Sequence, residues 1–174
     1  MGCGLWFELL ALRLRFTARG AVHFPAGKSG NIIRGAFGTI LSRIAPADVF
    51  ARIFEPSAAG GGPSGLRERP RPFVFRAAHL DGLTFRPGDP FHFDVHLFDT
   101  KDPPVEYFVN AFAELARAGL GPRRGGAELA GVDRTPVALS LEPVPEPVSR
   151  VVARFLTPTE LKHGAELAER PEFP

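Results

Sequence analysis

The sequence predicts an α+β fold, a βαββαβ domain built on an antiparallel sheet. Three observations predict it. Several short stretches alternate apolar and polar residues, as half-buried strands do. Two longer stretches repeat apolar residues at helical spacing, each on one face. The two kinds follow one another as strand, helix, strand, strand, helix, strand.

The first strand spans Leu10 to Phe16, where Leu10, Leu12, Leu14 and Phe16 alternate with Ala11, Arg13 and Arg15. The loop from Gly20 to Gly30 follows. The first helix is Asn31 to Ile44, with Ile33, Phe37, Ile40, Leu41 and Ile44 on one face. Pro46 to Pro72 contains GGGPSG and RERPR, and it is expected to be a long flexible connection. Phe73 to Leu80 is the second strand. Asp81 to Pro90 carries turn residues and should be a hairpin connection. Phe91, Phe93, Val95 and Leu97 alternate with His92, Asp94 and His96 in the third strand. Pro103 and Pro104 open the second helix, Phe108, Phe112 and Leu115 form its buried stripe, and Gly119 ends it. GLGPRRGG leads into a fourth strand from Ala127 to Asp133, with a separate extended piece from Pro136 to Leu141. This is the ferredoxin-like plan, a sheet in the order 4-1-3-2.

The remainder predicts a second unit. Residues 1–147 form the first domain, and 148–174 begin another, with Ser149 to Leu156 as its opening strand. An opening strand without the rest of its domain is expected to add to a sheet edge. Exchange of that strand between two chains would make a homodimer.

Bulk properties narrow the function. With 174 residues and 44% hydrophobic residues, the chain can bury a core and is not a disordered tail. Net charge is only +2, and the pI is about 9.1, which neither demands nor excludes nucleic acid. Lysine occurs only at Lys28, Lys101 and Lys162, and the other 18 basic residues are arginines. Arginine suits bidentate phosphate binding, although GC-rich coding produces the same bias. Cys3 is the only cysteine, so neither a disulfide framework nor a cysteine zinc site forms within one chain. The apolar start is broken by Glu8, Arg13 and Arg15, so no membrane partner and a cytoplasmic location are expected.

The plan places chemistry at one end of the sheet. Three connections should share that edge: the loop with His23 and Lys28, the hairpin, and the loop with Arg123 and Arg124. The start of the first helix lies there too, with Ser29 in the loop just upstream and Arg34 near the helix start, and its positive dipole end is suited to an anion. Gly121 permits close backbone approach, and Arg123 and Arg124 can take phosphates. GLGPRRGG follows a helix instead of preceding one, so it is neither a Walker A loop nor a dinucleotide fingerprint. His92, Asp94 and His96 share a face at a spacing that could hold a metal, but no fourth ligand is evident. The same spacing describes the solvent face of a strand. No metal and no cofactor are expected. No G-x-S-x-G occurs, which excludes a nucleophile elbow. His23 is the best general acid or base, with Lys28 near it. A His that moves a proton and a cation that holds phosphorane charge can cleave RNA without metal.

The motifs RGAFG at Arg34 to Gly38, FEP at Phe54 to Pro56 and PFVFR at Pro72 to Arg76 lie in a set order. The strand Phe91 to Phe98, YF at Tyr107 to Phe108 and GLGPRR at Gly119 to Arg124 continue it. Together they resemble the CRISPR-associated repeat-RNA-processing endoribonucleases of the RAMP superfamily. RFLTPTELKHG at Arg154 to Gly164 resembles the start of that family's second domain. The resemblance implies two tandem ferredoxin-like (RAMP) domains that bind CRISPR repeat RNA. It implies metal-independent cleavage in which the upstream 2′-hydroxyl attacks, leaving a 2′,3′-cyclic phosphate and a 5′-hydroxyl. His23 matches the family's His in or near the first loop and helix, and Lys28 could supply its cation. Ser29, Arg34, Gly121, Arg123 and Arg124 would then bind the RNA. Lys162 and His163 would occupy the equivalent loop of the second domain. The family's glycine-rich C-terminal loop has no counterpart here, which leaves the activity of this chain open. The alternative on the same fold is a non-catalytic RNA-binding subunit of a CRISPR effector complex. A third reading is a ferredoxin-like module that binds a small anion or a protein.

Overall fold

Alternation of apolar residues produces a four-stranded antiparallel sheet. A computed structural model describes residues 5–56, 70–142, 148–150 and 152, together with the backbone of 162–163 and 166–167. The central strand is β1 (Trp6–Ala18), followed by the two-residue β2 (Val22–His23), helix α1 (Ser29–Ile44) and helix α2 (Ala47–Phe54). Then come β3 (Phe73–Arg76), a 3-10 turn (Ala78–Leu80), β4 (Thr84–Phe85), β5 (Pro90–Leu97), α3 (Val105–Ala118) and β6 (Ala127–Ser140). The sheet order is β3-β5-β1-β6, which is the expected 4-1-3-2 order read from the other side. Every neighbouring pair is antiparallel.

Leu12, Leu14, Phe16 and Ala18 of β1 point to one face and are fully or almost fully buried. α1 and α3 cover that face. Phe37 of α1 stacks on Phe108 at 4.6 Å and on Phe112 at 5.1 Å, so both helices share one aromatic core with the sheet. Burying each such ring stabilises the fold by about 1.5–3 kcal/mol. Gly119, at φ 106°, ends α3 in a conformation that a side chain would oppose.

The connection expected to be flexible from Pro46 to Pro72 contains α2. Its Ile53 is buried and its Phe54 packs over Gly38, where a Cβ would collide with the ring. Arg71 closes this corner, donating to the Phe54 carbonyl at 2.7 Å and lying 4.5 Å over its ring. The second strand is shorter than expected. It ends at Arg76 because Ala77 to Leu80 tighten into the 3-10 turn that buries Leu80. The fourth strand is longer, running unbroken through Pro136 with a register shift beside Phe16. β6 is an outer strand, and such a strand tolerates a residue without an N–H.

Of the expected strand Ser149 to Leu156, the residues Ser149, Arg150 and Val152 have no strand pairing, and the others lie outside the described residues. The loop from Thr157 also lies outside them, apart from β7 (Lys162–His163), which pairs antiparallel with β8 (Glu166–Leu167). No helix of the described residues is long and apolar enough to cross a membrane.

Candidate functional site

Three loops meet at one end of the sheet. Phe24 donates its backbone N–H to Leu83 at 3.0 Å, and its carbonyl accepts from Gly82 at 2.8 Å. Together with the β2–β4 pairing, this ties the first loop to the hairpin. The Gly119–Gly126 loop closes from the other side. A Cβ at Gly121 would collide with the His23 carbonyl, and one at Gly125 with the Ala21 carbonyl. Glycine at both positions lets the backbones touch. Arg124 has φ 49°, and Arg123 and Arg124 both project as exposed side chains. His23 is half-buried, and its Nδ1 lies 2.9 Å from the Thr84 hydroxyl. That contact orients the ring, and Nε2 has no partner among the described residues. Lys28 is exposed one residue before α1.

The start of α1 differs from the expectation of an open anion site. Asp81 of the hairpin already sits there, accepting from the Ser29 amide at 2.9 Å. Partial burial opposes its ionisation, but hydrogen bonds from Ser29 and from the amides of Lys28 and Gly27 hold its carboxyl below the usual range. Ser29 is buried, and its hydroxyl donates to the Ala77 carbonyl at 2.8 Å. Its polar atoms hold the helix start against the turn. Arg34, one turn further on, is exposed and meets only Asn31, at 3.4 Å.

A second feature was not anticipated. A groove of about 940 Å³ runs along the outer edge of β3, from the start of α1 to the sheet face opposite the helices. Arg34, Arg71 and Arg76 line it, with His79, His92 and His96. On that face Arg13 donates two hydrogen bonds to Asp94, at 2.8 and 3.1 Å. Those bonds hold the Asp94 carboxyl below the usual range, against partial burial. Arg15 donates to Asp133 at 3.0 Å. Burial lowers the pKa of His92, and the Arg13 and His79 charges lower it further. Burial and Arg76 do the same for His96. The His79 and His92 rings lie 4.9 Å apart, and His79 Nε2–H donates to the His92 carbonyl at 2.8 Å. Asp94 is thus committed to an arginine, and among the described residues no three His, Cys, Asp or Glu are grouped to hold a metal ion. The one legible signal for this groove was charge alternating with apolar residues in β1, β3 and β5. The register that joins Arg13 to Asp94 and Arg76 to its neighbours was not legible.

The predicted residues therefore divide between two places. His23 and Gly121 lie in the loop cluster, whose arms carry Lys28, Arg123 and Arg124, whereas Arg34 belongs to the groove.

Among solved structures, the fold is shared with a chain of the type III-B Cmr-beta complex bound to cognate target RNA. The TM-score is 0.52 at 11% identity, over 73% of this chain and 61% of that one. The protein thus spans less than two thirds of that chain's length. A Cas6 product complex matches with a TM-score of 0.37 at 18% identity, over 72% of this chain and 39% of that one. A chain of the Csm3-Csm4 subcomplex of a type III-A CRISPR-Cas interference complex matches with a TM-score of 0.45 at 13% identity, over 79% and 82%. No curated protein matches the sequence. The antiparallel sheet, its strand order and the Cmr-beta likeness identify a ferredoxin-like fold. Residues 7–154 match the AF_1859_N family, described as an N-terminal domain, and that match covers most of the chain. The protein belongs to the AF_1859_N N-terminal-domain family.

Proposed function

We propose that this chain is a RAMP-type RNA-binding module of a CRISPR-associated protein, and that it holds repeat RNA at the loop end of its sheet. One observation carries the reading. Backbone contacts between glycines and carbonyls bring three loops together, and Lys28, Arg123 and Arg124 stand exposed on their arms. None of these three cations forms an ion pair among the described residues. The chain of like fold comes from a Cmr-beta complex bound to cognate target RNA, which favours the same ligand class here. Membership of an effector complex accords with this role.

A second reading, metal-independent cleavage, is favoured by the His23–Thr84 contact at 2.9 Å. A ring held through Nδ1 can present Nε2 to a 2′-hydroxyl or a leaving 5′-oxygen, and Lys28 or Arg124 can meet the charge that develops on phosphate.

Both readings are tested with repeat RNA in EDTA. RNA affinity should fall with salt, and Arg123→Ala with Arg124→Ala should lower that salt slope by about 1.4, the loss of two single-strand phosphate contacts. An unchanged slope removes these arginines from the interface. If the RNA is cut, His23→Ala should slow cutting by about 10²–10⁴-fold and leave binding intact. Cutting at the original rate excludes His23 from the chemistry. Binding without cutting leaves the non-catalytic role.

A further inference from the structure

The loop end does not use the groove on the outer edge of β3, and the groove's own chemistry selects a ligand. We propose that this groove is a second phosphate-binding track, which takes the backbone of single-stranded RNA on Arg34, Arg71 and Arg76. The proposal deepens the RNA-binding reading and rests on it for the ligand class.

Charge pairing carries the argument. Five charged side chains other than the histidines matter here besides Asp81. Arg13 and Asp94 neutralise one another through two hydrogen bonds. Asp81 is spent on the start of α1. Arg34, Arg71 and Arg76 are left, and none of them forms an ion pair among the described residues. Arg71 is anchored by its Nε at the Phe54 carbonyl, which leaves its terminal nitrogens to bind. Three guanidinium forks therefore line one concave space, and among the described residues no carboxylate forms an ion pair with them; phosphate matches such forks bidentately.

The space suits a strand of nucleic acid better than a peptide. β3 is an outer strand of only four residues, so an added peptide strand would gain few ladder bonds. Fork contacts to phosphate need no such register. His79 and His92, with rings 4.9 Å apart, offer flat surfaces against which an unpaired base can stack. The groove is also continuous. It passes from Arg34 on the helix, along Arg71, to Arg76 on the open sheet face.

The test is binding of fluorescent single-stranded repeat RNA as a function of NaCl concentration. Arg34→Gln with Arg76→Gln should lower the slope of log affinity against log salt by about 1.4. The loss should add to that of Arg123→Ala with Arg124→Ala, because the sites are separate. Arg34→Lys with Arg76→Lys, which keeps both charges, should restore most of the slope. Both arginines are exposed, so the melting temperature should not move; if the glutamine pair melts early, the single Arg76→Gln gives the slope. Wild type that binds RNA, with an unchanged slope in the glutamine variant, overturns the groove and leaves the loop site standing. Wild type that binds no RNA overturns both. Polyglutamate binding that depends on Arg34 and Arg76, with RNA indifferent to them, reassigns the groove to an acidic peptide.

Discussion

The loop end and the β3-edge groove present cations in opposite ways. At the loop end the backbone does the positioning. Gly121 and Gly125 press against the carbonyls of His23 and Ala21, and the exposed side chains follow from that contact. In the groove, side chains on neighbouring strands do the positioning, and pairing decides which charges stay available. Arg13 is spent on Asp94, whereas Arg76 two strands away is not. The difference teaches where each region is fragile. A backbone-built site fails when one methyl group is added. A side-chain-built site keeps its shape and changes its charge.

The largest expected effect breaks the loop end. Gly121→Ala places a Cβ against the His23 carbonyl at φ 75°, so it meets a collision and a backbone conformation that side chains oppose. It should cost about 3 kcal/mol in urea denaturation. A cost below about 1 kcal/mol would show that the loop yields, and that glycine is not what holds it.

Asp81 joins the two regions, since it belongs to the hairpin and ends at the start of α1. Asp81→Asn should cost about 1 kcal/mol, as the loss of a helix-capping acceptor does. Its folded carboxyl ionises below its unfolded one, so its contribution is complete above pH ~4 and fades as pH falls through the folded value. The gap between wild type and Asp81→Asn in thermal melts should therefore close in acid. A gap that persists at low pH would mean that the charge is not what matters.

The smallest effect sharpens the contrast. Asp94→Asn should release Arg13 into the groove with little change in melting temperature. One more available cation should steepen the RNA salt slope by about 0.7. An unchanged slope would place Arg13 outside the path of the RNA.

Much of the fold was legible because the strands are half-buried and keep their period of two. β5 reads Phe91, Phe93, Val95 and Leu97 inward, with His92, Asp94 and His96 outward, as the alternation required. α2 escaped notice because eight residues between two prolines give barely two turns of pattern. Its reason to exist, Phe54 over Gly38, lies in contacts distant in sequence. Of the site, the loop residues were visible as punctuation: glycines, a histidine and paired arginines between regular elements. Beyond the alternation of charged with apolar residues, the groove was not legible as a site, because its arginines come from α1, the chain before β3 and β3 itself, and each looks like ordinary surface charge.

The sequence by itself determined the element order, the antiparallel sheet, the aromatic core and the identity of the loops that could meet. These follow from local periodicity and from the rule that each apolar face must be covered. Only the tertiary structure decided which polar groups remain free. Asp81, 52 residues from Ser29, fills the helix start, and Asp94, 81 residues from Arg13, neutralises it. Whether a charge is spent or available depends on the partner that folding brings to it, and no local pattern records that partner.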